Sequence, residues 1–136
     1  MTSATARIFI AIALFTFGSL LGGAAYLEWL LPGGLPFGNA LTAVGLSSAA
    51  VAALGVSKPN SVLRWFSVVS ILLSTTWLPL SIRLAGNLTL NFDEVYGPIW
   101  INLSLVTFVF ALISMLWAIV KTSTNRNLEV DPTVRA

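Results

Sequence analysis

Residues 99–120, IWINLSLVTFVFALISMLWAIV, carry no ionisable side chain across twenty-two positions. Wound as a helix at about 1.5 Å per residue, the run covers about 33 Å, enough to cross a hydrocarbon core of about 30 Å. Pro98 stands at its start, where a missing N–H costs nothing, and Lys121 closes it. Three further stretches of the same kind lie upstream, at 8–27, 37–56 and 65–82.

The breaks between them are short. Leu31-Pro32-Gly33-Gly34-Leu35-Pro36 is a compact breaker, and Ser57-Lys58-Pro59-Asn60 is a turn, with Asn60 or Ser61 suited to capping the third helix. Helices joined so tightly must be antiparallel neighbours. The expected architecture is therefore an all-α integral membrane protein, a four-transmembrane-helix antiparallel bundle with helices at about 8–30, 37–56, 62–84 and 98–121. A polar tail at 122–136, expected to be mobile, completes the chain.

Composition agrees with this reading. Hydrophobic residues make up 57% of the 136 and charged residues 9%, where a soluble domain has about a quarter charged. The seven Lys and Arg and five Asp and Glu all sit at or beyond the ends of the apolar runs. The net charge of +2 is spread singly over those ends, so it points to membrane topology and not to nucleic acid. Placing both termini and the 57–61 turn on one side gathers Arg7, Lys58, Arg64, Lys121, Arg126 and Arg135 there and leaves Arg83 opposite. The positive-inside rule then expects both termini in the cytoplasm, as in a bacterial inner membrane. Arg7, the first apolar run and Gly22-Gly23-Ala24-Ala25 imitate a cleavable signal, but the run is about 20 residues long and Tyr26-Leu27 continue it. A retained span is expected.

Lipid supplies no hydrophobic drive between helices, so association depends on small residues and on hydroxyls that bond across a gap. Each helix carries such a stripe. In the first it is Ala11, Gly18, Gly22 and Ala25, with Gly18 and Gly22 forming GxxxG. The second offers Thr42, Gly45, Ala49 and Ala52, and the third Ser67, Ser70, Ser74 and Ser81. The fourth presents Ser104, Thr107, Ala111, Ser114 and Ala118, and Asn102 is expected to bond across to another helix.

Two places could carry a function beyond packing. Glu28, Arg83, Asp93 and Glu94 all fall at the outer helix ends and form a candidate rim for a partner or ligand, or a set of interfacial anchors with Arg83 paired to a carboxylate. Ser74, Trp77 and Pro79 form a candidate lipid or quinone pocket, because a proline frees a carbonyl and bends a helix. The segment 85–97 alternates Leu88, Leu90 and Phe92 with polar residues, and Asn87-Leu88-Thr89 matches a glycosylation sequon.

The absences narrow the chemistry. With no histidine and no cysteine, the usual haem, copper and zinc ligands, the commonest general base and the thiol nucleophile are all missing. No ionisable group lies at mid-membrane depth, where proton-coupled carriers and intramembrane enzymes place theirs. The expectation is a non-enzymatic protein with no catalytic residue, cofactor or metal, acting by helix association. Its partners are then the bilayer and other membrane subunits or further copies of itself, with a role as accessory subunit or assembly factor. A homo-oligomeric transporter or channel, with the Ser/Thr stripes facing water, and a lipid- or quinone-binding component are the alternatives.

Overall fold

The computed structural model describes residues 2–27, 29–32, 34–85 and 96–130. Four helices long and apolar enough to cross a membrane dominate it: α1 (Ser3–Leu21), α2 (Phe37–Val56), α3 (Val62–Ala85) and α4 (Tyr96–Val130). Three of these bounds differ from the sequence reading by five residues or more, each for a local reason.

The first helix starts earlier and ends earlier than expected. Thr2 caps it, its Oγ1 accepting the Thr5 N–H at 3.2 Å, and Gly22 closes it, donating its N–H to the Gly18 carbonyl. Gly23 then takes φ +100°, a left-handed conformation that glycine alone adopts without penalty, and a 3₁₀ turn comes next at Ala24–Tyr26. The breaker beyond it is a small hairpin, β1 (Leu30–Leu31) with β2 (Leu35–Pro36), in antiparallel register Leu30 to Pro36 and Leu31 to Leu35. Gly34 at φ +80° supplies its turn. The Trp29 carbonyl accepts the Phe37 N–H at 2.8 Å, and the rings of the two residues lie 6.0 Å apart, so the hairpin leads straight into α2.

At the α2–α3 turn Asn60 takes φ +57° and Ser61 is the cap, its Oγ accepting the Arg64 N–H at 3.2 Å. The fourth helix runs nine residues beyond Lys121, so the tail expected to be mobile is helical as far as Val130. Thr122 explains part of this extension, for it is buried and its Oγ1 donates to the Ala118 carbonyl at 2.6 Å.

The second helix is the centre of the bundle. Its spanning stretch is 44% buried, against 22% for α1 and 28% each for α3 and α4, and it packs on all three. Two apolar clusters fill the interior. Ile10, Ala52, Ala53, Leu63 and Ala118 bring together the start of α1, the end of α2, the start of α3 and the later part of α4. Ala13, Leu46, Ala49, Trp77, Ala111 and Met115 fill the other. Both require alternating helix directions. The ends bearing Arg7, the 57–61 turn and Lys121 consequently lie together.

Small side chains set the spacing. An added Cβ on Gly45 would come within 3.1 Å of Thr16 Cγ2 and 3.2 Å of the Phe17 ring, so α1 and α2 meet closely there. Gly38 is approached in the same way by the Ala25 backbone at 3.2 Å. The second-helix stripe of Thr42, Gly45, Ala49 and Ala52 is wholly buried. So are Ser67, Ser70, Ser74 and Ser81 of α3, and Thr107, Ala111, Ser114 and Ala118 of α4.

The first helix breaks this pattern. Ala11, Gly18 and Gly22 are exposed, and nothing lies within 4 Å of a Cβ added to Gly18. The face that α1 turns inward is Ala6, Ile10, Ala13 and Thr16. These residues also recur at steps of three and four, and they put a methyl or a hydroxyl against α2 in place of the GxxxG pair. Gly22 is the C-cap, beyond the regular helix altogether.

Candidate functional site

The buried hydroxyls come first, since the choice between a packed interior and a lined path depends on them. Ser67 Oγ donates to the Leu63 carbonyl at 2.6 Å, Ser74 Oγ to that of Ser70 at 2.8 Å, and Thr107 Oγ1 to that of Leu103 at 2.6 Å. Each reaches back four residues along its own helix, which satisfies the hydroxyl without help from water. Ser70 Oγ and Ser114 Oγ are buried without a hydrogen-bond partner. Ala49, Ala52, Ala53, Ala111 and Ala118 are fully buried in the same interior.

Trp77 and its neighbours form the best-connected polar group on α3. Trp77 is 3% exposed, its Nε1–H donates to Ser104 Oγ at 2.8 Å, and Phe108 lies edge-on to its ring with centroids 6.2 Å apart. One helical turn further on, Trp100 Nε1–H donates to Ser81 Oγ at 2.7 Å. Two indole donors, one from each helix, thus fix the register of α3 against α4. Phe66 and Phe110 stack at 4.3 Å and 6° on the same seam. Of the residues expected around a pocket at Ser74, Trp77 and Pro79, Ser74 is bonded into its helix and Trp77 into α4. Pro79 is exposed, and Thr75 and Thr76 just before it donate to the Ile71 and Leu72 carbonyls. Hydroxyls bonded back in this way ease a helix into a bend near a proline.

Asn102 differs from its expectation. It is exposed, and its Nδ2 donates to the Pro98 carbonyl at 2.8 Å, within α4. The nearest acceptor for a side-chain amide on an apolar surface is the carbonyl four residues back, and using it removes the need for a partner helix. Arg83 stands in the last turn of α3, while Glu28, Asp93 and Glu94, with the 87–89 sequon, lie outside the described residues.

The open feature of the molecule is the seam between α1 and α4. A cavity of about 520 Å³ lies there, between Leu14, Phe17 and Gly18 of α1 and Phe108, Leu112 and Met115 of α4. Its lining is almost wholly carbon. Leu14 also lines a second space of about 270 Å³ toward the start of α1, where Arg7 faces Thr122, Ser123 and Arg126. The two therefore form one groove, apolar for most of its length and cationic at one mouth.

The sequence reading missed this site. Arg7, Leu14, Gly18 and Leu21 share one helical stripe, as do Phe108, Leu112, Met115, Ile119 and Arg126, and both stripes are legible at steps of three, four and seven. That the two stripes face each other is a matter of tertiary structure. The expectation of a mobile tail also took Arg126 out of consideration as part of a helix face.

No protein-family model, curated protein or solved structure matches this chain.

Proposed function

We propose that this chain is a non-enzymatic, multi-pass integral membrane protein that acts by association of its helices with another membrane protein, as an accessory subunit or assembly factor. One observation carries the reading: Ser67, Ser74, Thr107 and Thr122, buried on α3 and α4, bond back into their own helices beside fully buried alanines. A polar path through a single copy would need those hydroxyls turned toward water. The apolar outer surface, with Phe15 75% and Leu21 90% exposed, is left as the surface on which the protein works. In this reading it functions without a resident cofactor.

Charge supports an orientation. Arg7, Lys58, Arg64 and Lys121 gather at one end of the bundle, which the positive-inside rule assigns to the cytoplasm of a bacterial cell. Reporter fusions at the two termini and in the 31–36 hairpin test this, with cytoplasmic signal expected from both termini and none from the hairpin.

Mass measurement after gentle solubilisation tests the association itself. A stoichiometric assembly is expected, and a strictly monomeric protein without a partner defeats the reading. Cysteines placed at Ser70, Ser74, Thr107 and Ser114 address the homo-oligomeric transporter or channel. A water-soluble thiol reagent is expected to leave all four unlabelled, whereas labelling along one helix face favours a pore.

A further inference from the structure

The groove between α1 and α4 combines two properties that seldom coincide on a lipid-facing surface. Over most of its length it is apolar, and at about 520 Å³ its main chamber has the size of a small-molecule site, about 300–1,000 Å³. At one mouth it carries two arginines from different helices, Arg7 and Arg126, beside the Thr122 and Ser123 hydroxyl-bearing residues and with no acidic residue in the lining. Neither guanidinium has a hydrogen bond or ion pair with any residue whose side chain is described. The residues that line this mouth thus bring two positive charges and no negative one.

Length indicates which anion suits it. From Arg7 to Leu21, the stretch of α1 that lines the groove, the helix rises about 21 Å at 1.5 Å per residue. That is most of the Ala4–Leu21 span, room enough for an extended acyl chain that starts at the Arg7 end. A groove that opens sideways, is apolar along most of the α1 span and is cationic at the end where the basic residues gather matches a molecule with an anionic head and a hydrocarbon tail. Arginine forks suit phosphate oxygens, which they bind bidentately.

We infer that the α1/α4 seam binds one anionic glycerophospholipid, with its phosphate between Arg7 and Arg126 and an acyl chain along Leu14, Gly18 and Leu112. Gly18 then has a role that the packing of this chain alone does not provide. Lacking a Cβ, it leaves the chamber wide enough for the chain. The lipid fills space in the α1/α4 seam that the described residues leave open. The inference rests on the chain's being embedded in a bilayer and not on its associating with a protein partner.

The test is native mass spectrometry of the delipidated full-length protein in mild detergent, titrated with dioleoylphosphatidylglycerol or dioleoylphosphatidylcholine. One phosphatidylglycerol is expected to bind, preferred over phosphatidylcholine by about thirtyfold, at roughly fivefold per arginine. Arg7→Gln with Arg126→Gln is expected to abolish that preference, lowering phosphatidylglycerol affinity far more than that of phosphatidylcholine, whose phosphate meets the same arginines but whose choline opposes them. Both side chains are exposed, so the double variant is expected to fold. Gly18→Leu fills the chamber and is expected to weaken both lipids roughly tenfold by displacing about two methylenes.

Equal affinity for the two lipids in the wild type overturns the proposal, as does a preference that survives the double arginine variant. Inorganic phosphate that binds the arginines without competing with phosphatidylglycerol also overturns it, as a site for a free anion. So does a dimer that Gly18→Leu dissociates while lipid preference is unaltered, since the seam is then filled by a second copy. The mass spectra separate this proposal from the association reading. Lipid preference without any partner supports the first and defeats the second, and a partnered complex without lipid preference does the reverse.

Discussion

Gly45 and Gly18 look alike in the sequence, each in an apolar helix beside other small residues, and the fold treats them in opposite ways. At Gly45 a single added carbon would come within 3.1–3.2 Å of Thr16 and Phe17, whereas at Gly18 nothing lies within 4 Å. The first belongs to the α1/α2 contact, where backbones approach closely, and the second to the α1/α4 seam, where side chains on both helices stand apart around a cavity. A small residue permits a close approach but does not cause one. Whether a helix arrives depends on how the rest of the bundle is arranged, and α2 takes the central position because it can be approached from several sides.

The contrast can be broken most directly with truncations. Leu46 is fully buried at the centre of the bundle, and Leu46→Ala is expected to cost about 2–5 kcal/mol of stability, through lost contacts and a cavity that the neighbours cannot collapse. Leu112→Ala, at a residue 51% exposed on the groove, is expected to cost less than about 1 kcal/mol. Thermal unfolding in detergent measures both. Equal losses at the two positions would mean that the α1/α4 seam is packed as tightly as the centre.

Enlargement should give the same order with smaller values. Gly45→Leu is expected to cost about 1–3 kcal/mol, because Thr16 and Phe17 must move to admit it. Gly18→Leu is expected to leave stability unchanged or raise it by up to about 1 kcal/mol, since leucine is the better helix former and has room. A strongly destabilised Gly18→Leu would show that the space beside Gly18 is needed by the fold itself.

Polar contacts sharpen the comparison within the closed part of the bundle. Trp77→Phe keeps a ring against Phe108 but removes the donor to Ser104, and a loss of roughly 0.6–1.7 kcal/mol is expected, the span measured for hydrogen bonds between membrane helices. Ser114→Ala is expected to change stability by less than about 0.5 kcal/mol, as its hydroxyl is buried without a partner and alanine fills nearly the same volume. Denaturation of both variants in one detergent series checks the pair. A larger loss for Ser114→Ala than for Trp77→Phe would place the register of α3 on α4 elsewhere than in the indole donors.

Helix number and approximate extent were legible in the sequence because an uncharged run of about 20 residues has few alternatives. The inward stripes of α2, α3 and α4 were legible too, since on those helices small residues occupy one face and bulky ones another. The stripe of α1 was not, because two sets of small residues compete on it. Ala11, Gly18, Gly22 and Ala25 form one, and Ala6, Ala13 and Thr16 the other, and nothing local ranks them. The ends of α1 and α4 were misjudged for different reasons. Gly22-Gly23 stops a helix whose hydropathy continues, and Thr122 extends one whose hydropathy has ended, by burying itself against the bundle. The groove could not be read at all, since its two walls lie about a hundred residues apart in the chain.

By itself the sequence determined that this protein has four helices suited to a bilayer and that charge is confined to their ends, because charge placement and run length act on each segment independently. Tertiary structure alone decided that α2 sits at the centre, that the GxxxG of α1 faces outward, and that Arg7 and Arg126 share the mouth of one apolar groove. The physical reason is that which faces meet depends on the packing of all four helices at once. In a bilayer every face is apolar enough to be left against lipid, so burial alone does not select among them, and the choice falls to fit between backbones and to a few indole hydrogen bonds.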